Sequence, residues 1–285
     1  NLYRIFCKVA QSKSYSEAAE KLDLSVANIS TQITNLEEQL GLKLFNREKK
    51  GVTLTEDGKE LYEIVNKSIS SFDFVEKLAK DKNNISSGNI KIGCPSHFTS
   101  YFLMKKIEQV KKDFPELDVT IICEVDINKM IDLLQNHEID FAIIDAQIEK
   151  NNIETEELLT IDNIFVSKAP LTITDIKEIE KLNCILNLEN TKATKKLKEI
   201  LQEYNVNINA DMMCDATEVR VEAVKKNMGI AYVIKEAVKN ELNNKELYEV
   251  EMPIKLPSLK LNLIYLKGEL TKVDKKFINE YLKNI

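Results

Sequence analysis

Tryptophan is absent and histidine occurs only twice, so imidazole chemistry could fall only to His97 and His137. A single histidine with no base or nucleophile beside it makes no catalytic constellation. The Walker loop, G-x-G-x-x-G, H-E-x-x-H and G-x-S-x-G patterns are all missing, which removes the commonest signatures of nucleotide, metal and hydrolase chemistry. The five cysteines, at positions 7, 94, 123, 184 and 214, are scattered, odd in number and never spaced C-x-x-C. That argues against a disulfide framework or a zinc site and fits a reducing cytoplasm. A redox switch through Cys184 and Cys214 has no support beyond the presence of both thiols. No apolar run approaches the length of a membrane span, and the start NLYRIFCKVAQ lacks a signal-peptide pattern. The expectation is therefore a cytoplasmic binding protein rather than an enzyme, with no cofactor, no metal and no membrane partner.

At 285 residues, with 44% hydrophobic and 30% charged residues, the chain is long enough for two or more domains with cores of their own. Net charge is −6. Residues 1–58 hold eight Lys plus Arg against eight Asp plus Glu, so even this segment is neutral overall. Its positive charge is concentrated in Lys43, Arg47, Lys49 and Lys50, opposed only by Glu48, and phosphate contact depends on such local charge.

The stretch Tyr15 to Asn35 reads as two short helices around a tight turn. Ser16 is placed to cap the first, with Ala18, Ala19 and Leu22 on its inner face. Asp23 and Leu24 make the break, and Ser25 caps the second. Ile29, Ile33, Leu36 and Leu40 form one apolar stripe at 4-3-4 spacing, and the small alanines let the helices approach closely. This is a helix-turn-helix. Ala27, Thr31, Thr34 and Asn35 point away from the stripe, with Asn28 and Gln32 on its flanks. Such short polar groups suit the edges of bases in a major groove. Leu2, Ile5, Phe6 and Val9 mark a support helix, Gly41 ends the second motif helix, and NREKKGVTL forms a β-wing whose basic tip can lie along a phosphate backbone.

The string AAEKLDLSVANISTQITNLEEQLGLKLFNREKKGVTLTEDG resembles the N-terminal region of LysR-type transcriptional regulators. The patterns A-A-x-x-L, L-E-x-x-L-G-x-x-L-F-x-R and L-T-x-x-G fall in register without a gap. Val26 and Ala27 stand where family members often carry Gln-Pro. The resemblance implies that Ser25, Asn28, Thr31 and Gln32 face DNA and that Arg47 sits on phosphate.

Thr55 begins a long helix in which Leu61, Val65, Ser68, Phe72, Val75 and Ala79 form a short heptad seam. A lone helix of this length needs a partner, and two half-sites on DNA require a dimer. From Ile90 onward strands alternate with helices, which argues for two α/β lobes. This half resembles the family's effector-binding domain, whose fold is like that of periplasmic binding proteins. The fold class is α/β overall: an all-α winged helix-turn-helix (1–58), a linker and dimerisation helix with hinge (59–88), and a two-lobed effector domain (89–285). Lobe one takes in about 89–162 and 267–285, and lobe two about 163–266.

In open α/β layouts, ligands bind at strand C-terminal ends, beside helix N-termini. CPSHFTS places Ser96, His97, Thr99 and Ser100 at one such start, and ENTKAT places Thr191 and Thr194 at another. Asp126, Ala216 and Thr217 join the rim by resemblance alone. The expected ligand is a small polar or anionic effector, bound without any cofactor. Expected partners are double-stranded DNA and a second copy in a dimer or tetramer, with RNA polymerase as a further candidate. The alternative is a solute-binding protein or small-molecule enzyme carrying a vestigial N-terminal module.

Overall fold

A computed structural model describes residues 2–12, 14–48, 51–81 and 88–283, without the side chains at 47, 48, 77, 78, 80 and 81. The chain divides into two compact units. One is Asn1–Ile85 with Ile131–Glu138, and the other is Ser86–Met130 with Ile139–Ile285.

The first unit contains α1 (Leu2–Ser12), α2 (Tyr15–Leu22), α3 (Val26–Leu40), β1 (Phe45–Glu48), β2 (Gly51–Leu54) and α4 (Glu56–Asp81). Ser14, not Ser16, caps α2. Its backbone is extended and its hydroxyl accepts the Glu17 N–H at 3.1 Å, whereas Ser16 is already inside the first turn, where the backbone is helical and cannot serve as a cap. Asp23 ends α2 in the left-handed conformation, with φ 52°. Ser25 caps α3 by accepting the Asn28 N–H at 3.2 Å, and Gly41, at φ 68°, closes it. Ile5, Phe6 and Val9 of α1 pack with Ala18 and Ala19 of α2, Ile29, Ile33 and Leu36 of α3, and Leu44, Phe45 and Val52 around the hairpin. Each large apolar side chain so buried contributes roughly 1.5–3 kcal/mol.

β1 and β2 are antiparallel, pairing Phe45 with Leu54 and Glu48 with Gly51. Thr55 caps α4, its hydroxyl accepting the Gly58 N–H at 3.0 Å. The predicted seam on α4 divides. Leu61 and Val65 pack on the unit's own core, while Ser68, Phe72, Val75 and Ala79 are exposed, as is Ile64. The expected linker at 83–89 falls mostly outside the described residues.

The second unit opens with β3 (Asn89–Gly93). A short helix, α5 (Ser96–Phe98), runs through a π-helical turn at Thr99–Leu103 into α6 (Met104–Asp113). Then come β4 (Asp118–Ile122), α7 (Ile127–Gln135, grouped with the first unit from Ile131 onward), β5 (Phe141–Ile144), β6 (Ile153–Ser167), β7 (Cys184–Leu186), α8 (Lys192–Glu203), β8 (Ala210–Met213), α9 (Thr217–Lys225) and β9 (Ile230–Ile234). The chain ends with α10 (Lys239–Asn243), β10 (Tyr248–Glu249), β11 (Ser258–Leu266) and α11 (Lys272–Phe277), followed by a π-helical turn at Ile278–Leu282. Strand order is β4-β3-β5-β11-β6-β9-β7-β8, with β10 beside β6.

β3 is parallel to β4 and β5, and β7 is parallel to β8 and β9. Between these two sets, β11 runs antiparallel to β5 and β6, and β6 runs antiparallel to β9. One strand serves both lobes: Ile153–Asp162 of β6 pairs with β11, and Asn163–Val166 with β9. The sequence places the second series of elements near Ile164, but β6 begins eleven residues earlier, at Ile153. β11 lies between β5 and β6 and so returns the chain to the first-lobe sheet. The first lobe buries Ile90, Ile92, Leu103, Phe141, Leu263 and Phe277. The second has a core on each sheet face, so Cys184 and Leu186 of β7 enter one and Ile185 the other, as the two-residue period of a strand requires.

Candidate nucleic-acid interface and effector site

The α3 stripe and its opposite face separate cleanly. Ile29, Ile33 and Leu36 are at most 2% exposed, while Ser25, Ala27, Asn28, Thr31 and Asn35 are exposed and Gln32 is half-buried. The Thr31 hydroxyl donates to the Ala27 carbonyl at 3.0 Å. The Gln32 side-chain nitrogen donates to the Asn28 side-chain oxygen at 2.7 Å. That bond uses neither the Asn28 side-chain N–H groups nor the Gln32 side-chain oxygen.

The wing is positioned by a residue the sequence reading passed over. Glu37, only 8% exposed, accepts the Leu44 N–H at 2.8 Å, the Phe45 N–H at 3.3 Å and the Lys43 ammonium at 2.7 Å. Burial alone would raise its carboxyl pKa, but the bonds from Lys43, Leu44 and Phe45 outweigh burial and hold it below the usual value. Lys43 is therefore ion-paired with Glu37 rather than opposed only by Glu48. The signal was a glutamate at the edge of an apolar stripe, one residue after Leu36. Arg47 has its backbone in β1, but its side chain lies outside the described residues, as do Lys49 and Lys50 entirely.

In the second unit the predicted effector residues cluster at strand ends but differ in availability. Ser96 and Ser100 are exposed, the Ser100 hydroxyl donating to the Ser96 carbonyl at 3.1 Å. Thr99 is buried and donates to the carbonyls of Cys94 and Pro95, both at 3.1 Å. Asp126 caps α7, accepting the Asn128 and Lys129 N–H groups at 2.8 and 3.2 Å. Thr191 donates to the Leu188 carbonyl at 2.8 Å and to the Thr194 hydroxyl at 3.0 Å, and Thr194, 1% exposed, turns inward to the Asn187 carbonyl. Ala216 begins α9 without a side-chain cap, and Thr217 is buried.

Contacts between the lobes bring several of these together. The Tyr101 hydroxyl donates to the Glu218 carboxylate at 3.0 Å, joining the π-helical turn of the first lobe to α9 of the second. Burial, then Glu218, pushes the Tyr101 hydroxyl up to about 12. Lys192 donates to the Asp145 carbonyl. Burial lowers the pKa of His97, partly offset by Asp145 and reinforced by the cationic Arg220. Arg220 is 4% exposed. Its guanidinium donates to the carbonyls of Cys214 and Asp215 and, at 3.0 Å, to the Thr217 hydroxyl, and its buried Nε has no partner. The sequence reading missed Arg220, although a cation spaced with Thr217 and Val224 on the inner face of a helix was a legible anomaly.

Two surface cavities, of about 330 and 520 Å³, lie elsewhere in this unit, and none of the predicted residues lines either. His137 is in the first unit at φ 52°, its ring stacked 5.1 Å from that of Phe74. Cys184 lies opposite Ala210, while Leu186 lies opposite Met213. Cys214 is thus three residues further along the ladder than Cys184, roughly 10 Å at strand spacing, which is beyond disulfide reach. Among the described residues, no group of three or more His, Cys, Asp and Glu could hold a metal ion. No helix among them is long and apolar enough to cross a membrane.

The chain is similar to known regulators along most of its length. Residues 1–59 match the family model "Bacterial regulatory helix-turn-helix protein, lysR family", and residues 83–284 match "LysR substrate binding domain". The HTH-type transcriptional regulator CzcR of Bacillus subtilis is 28% identical over 235 residues, covering 82% of this chain and 80% of its own. The RuBisCO operon transcriptional regulator of Allochromatium vinosum is 24% identical over 277 residues, covering 93% and 89%. A full-length OxyR variant from Pseudomonas aeruginosa shares the fold, with TM-score 0.72 at 18% identity over 99% of this chain and 92% of that one. With the helix-turn-helix and the two-lobed domain each matched to its own model, the chain belongs to the LysR family, as a DNA-binding transcriptional regulator with an effector-binding domain.

Proposed function

We propose that α3 reads operator DNA through Ala27, Asn28, Thr31, Gln32 and Asn35, with Ser25 at its cap. The observation that carries this reading is the polar exposed face directly opposite Ile29, Ile33 and Leu36. The donor and acceptor that the Asn28–Gln32 bond leaves unused suit a base edge presenting both kinds of group, as adenine does in the major groove. Arg47, Lys49 and Lys50, at the wing, are assigned to phosphate on sequence grounds.

The second unit binds a small polar or anionic effector between its lobes, without a cofactor. Ser96, His97, Ser100 and Thr191 offer the accessible polar groups, with Asp126 and Ala216 on the rim. Thr99, Thr194 and Thr217 act from behind by holding the loops. The protein acts by binding rather than by catalysis: the relatives it matches are transcriptional regulators. It works in the cytoplasm as a dimer or tetramer, joined through the exposed part of α4, with RNA polymerase as a further partner at the promoter. An effector that changes the closure of the lobes would change the spacing of paired reading heads.

Selection of random duplex DNA by the full chain tests the reading. Enrichment of a two-fold symmetric site is expected. No enrichment over bulk DNA, with or without a metabolite mixture, would overturn it.

A further inference from the structure

The first-lobe sheet brings together two cysteines that no motif connects. Gly93 of β3 lies opposite Ile122 of the parallel β4, and the ladder continues one step because the Cys94 N–H donates to the Ile122 carbonyl at 3.0 Å. Cys94 and Cys123 are therefore cross-strand neighbours. They also share a face. Ile90, Ile92 and Cys94 alternate into the first-lobe core, and Val119 and Ile121, the alternate positions leading to Cys123, pack against the same core. Neighbouring strands stand about 4.8 Å apart, within the roughly 4.4–6.8 Å separation over which a disulfide closes. The Thr99 hydroxyl touches both residues, donating to the Cys94 carbonyl at 3.1 Å and lying 3.9 Å from Cys123 Sγ. Cys94 is buried and Cys123 is exposed.

We propose that Cys94 and Cys123 form a reversible dithiol–disulfide pair that exchanges with low-molecular-weight disulfides, and that its closure resets the loop carrying Ser96 and Thr99. The exposed Cys123 thiolate attacks one sulfur of the external disulfide RSSR, forming a mixed disulfide and releasing RS⁻. Cys94 then loses its proton to solvent, and its thiolate attacks Cys123 Sγ, displacing the second RS⁻. The two released thiolates take up the two protein protons. In sum the dithiol is oxidised by two electrons and RSSR is reduced to two RSH. Burial, opposed by the Thr99 hydrogen bond, pushes the Cys94 thiol up to about 12. Cys94 is thus inert toward outside reagents and reacts only once Cys123 carries a sulfur beside it. Closure moves Cys123 Sγ from its contact with Thr99, the residue that ties α5 to the end of β3.

The chemical part stands independently of the effector reading, and its test needs no effector. The reduced full chain is incubated with oxidised glutathione and examined by non-reducing intact mass and peptide mapping. The expected result is loss of two hydrogens per chain, a peptide pair linked through Cys94 and Cys123, and reversal by dithiothreitol. Cys94→Ser should retain one glutathione on Cys123, and Cys123→Ser should acquire neither a Cys94 adduct nor a link. A persistent glutathione on wild-type Cys123, or a link from Cys123 to any other cysteine, overturns the pair. Hydrogen exchange of the wild-type chain tests the consequence. Slower exchange across residues 94–103 after oxidation is expected, and unchanged exchange there overturns the coupling to the loop.

Discussion

Glu37 accepts the Leu44 N–H at 2.8 Å, so the reading helix and the wing are fastened by a single carboxylate. The same oxygen takes the Phe45 N–H at 3.3 Å, and both of these amides are buried. Removing the acceptor strands them. Glu37→Ala should therefore destabilise the first unit by about 1–3 kcal/mol, the cost of unpaired buried donors, and hydrogen exchange at Leu44 and Phe45 should accelerate. The pH dependence has a definite sign. The folded carboxyl sits below its ordinary 4.5, so its contribution is present above that value and is lost as pH falls through the lower folded one. Denaturation profiles of wild type and Glu37→Gln should converge on acidification. Parallel profiles would refute the assignment.

Gly58 matters for what it lacks. A Cβ there would stand 2.2 Å from the Leu44 carbonyl oxygen and 3.0 Å from its carbon. That oxygen also accepts the Thr55 N–H at 3.0 Å, so the backbone has little freedom to yield. An alanine inside a helix ordinarily gains roughly 0.5–1 kcal/mol over glycine, while overpacking costs typically 1–3 kcal/mol. Overpacking should win. Gly58→Ala should lower the denaturation midpoint of the first unit, and a raised midpoint would show that Leu44 can move aside.

How much was legible depended on periodicity. The α3 stripe and Gly41 could be read because an apolar 4-3-4 spacing and a left-handed terminus each leave a local mark. The first half of β6 could not. IETEELLTID carries several charges because residues 153–162 pair only with β11 and leave their other edge unpaired, while across the β11 ladder Glu157 meets Lys260 at 2.8 Å and Glu156 meets Tyr265, with Lys283 on the same Glu156 carboxylate. Edge strands keep charges that central strands exclude. The cap of α2 was misplaced by two residues because Ser14 and Ser16 are chemically alike and only backbone dihedrals separate them. Arg220 and Glu37 were missed for one shared reason: each charge is held by groups three to eight residues away, mostly backbone atoms of an adjoining loop, which leave no periodic mark in the sequence.

His97 offers a direct check on the second unit. Burial disfavours its charged form, and the cationic Arg220 adds to that, against the opposing pull of Asp145 and Glu218. Its folded pKa lies below the ordinary 6.5, so His97 is neutral near neutrality. Its contribution to stability is present above 6.5 and is lost as pH falls through the lower folded value. With only two histidines in the chain, imidazole resonances can be assigned by a single His137→Gln variant. The His97 titration midpoint should fall below that of a model peptide, and one at or above it would mean the ring is solvated.

The exposed part of α4 should hold two copies of the chain together. Ile64, Phe72 and Val75 are 61%, 68% and 60% exposed on a helix of 26 residues, and Ser68 and Ala79 complete the stripe at 4-4-3-4 spacing. A large side chain at the buried centre of an interface, where hot spots concentrate, costs about 2 kcal/mol or more when lost, roughly thirtyfold in affinity. A buried charge is worse still. Phe72→Glu should therefore move the chain toward monomer in sedimentation at concentrations where wild type is associated, while Ser68→Glu, at a small polar position, should act more weakly. Since paired half-sites need paired heads, Phe72→Glu should also lose affinity for a symmetric site while keeping that for a single half-site. An unchanged sedimentation profile would place the oligomer interface on another surface.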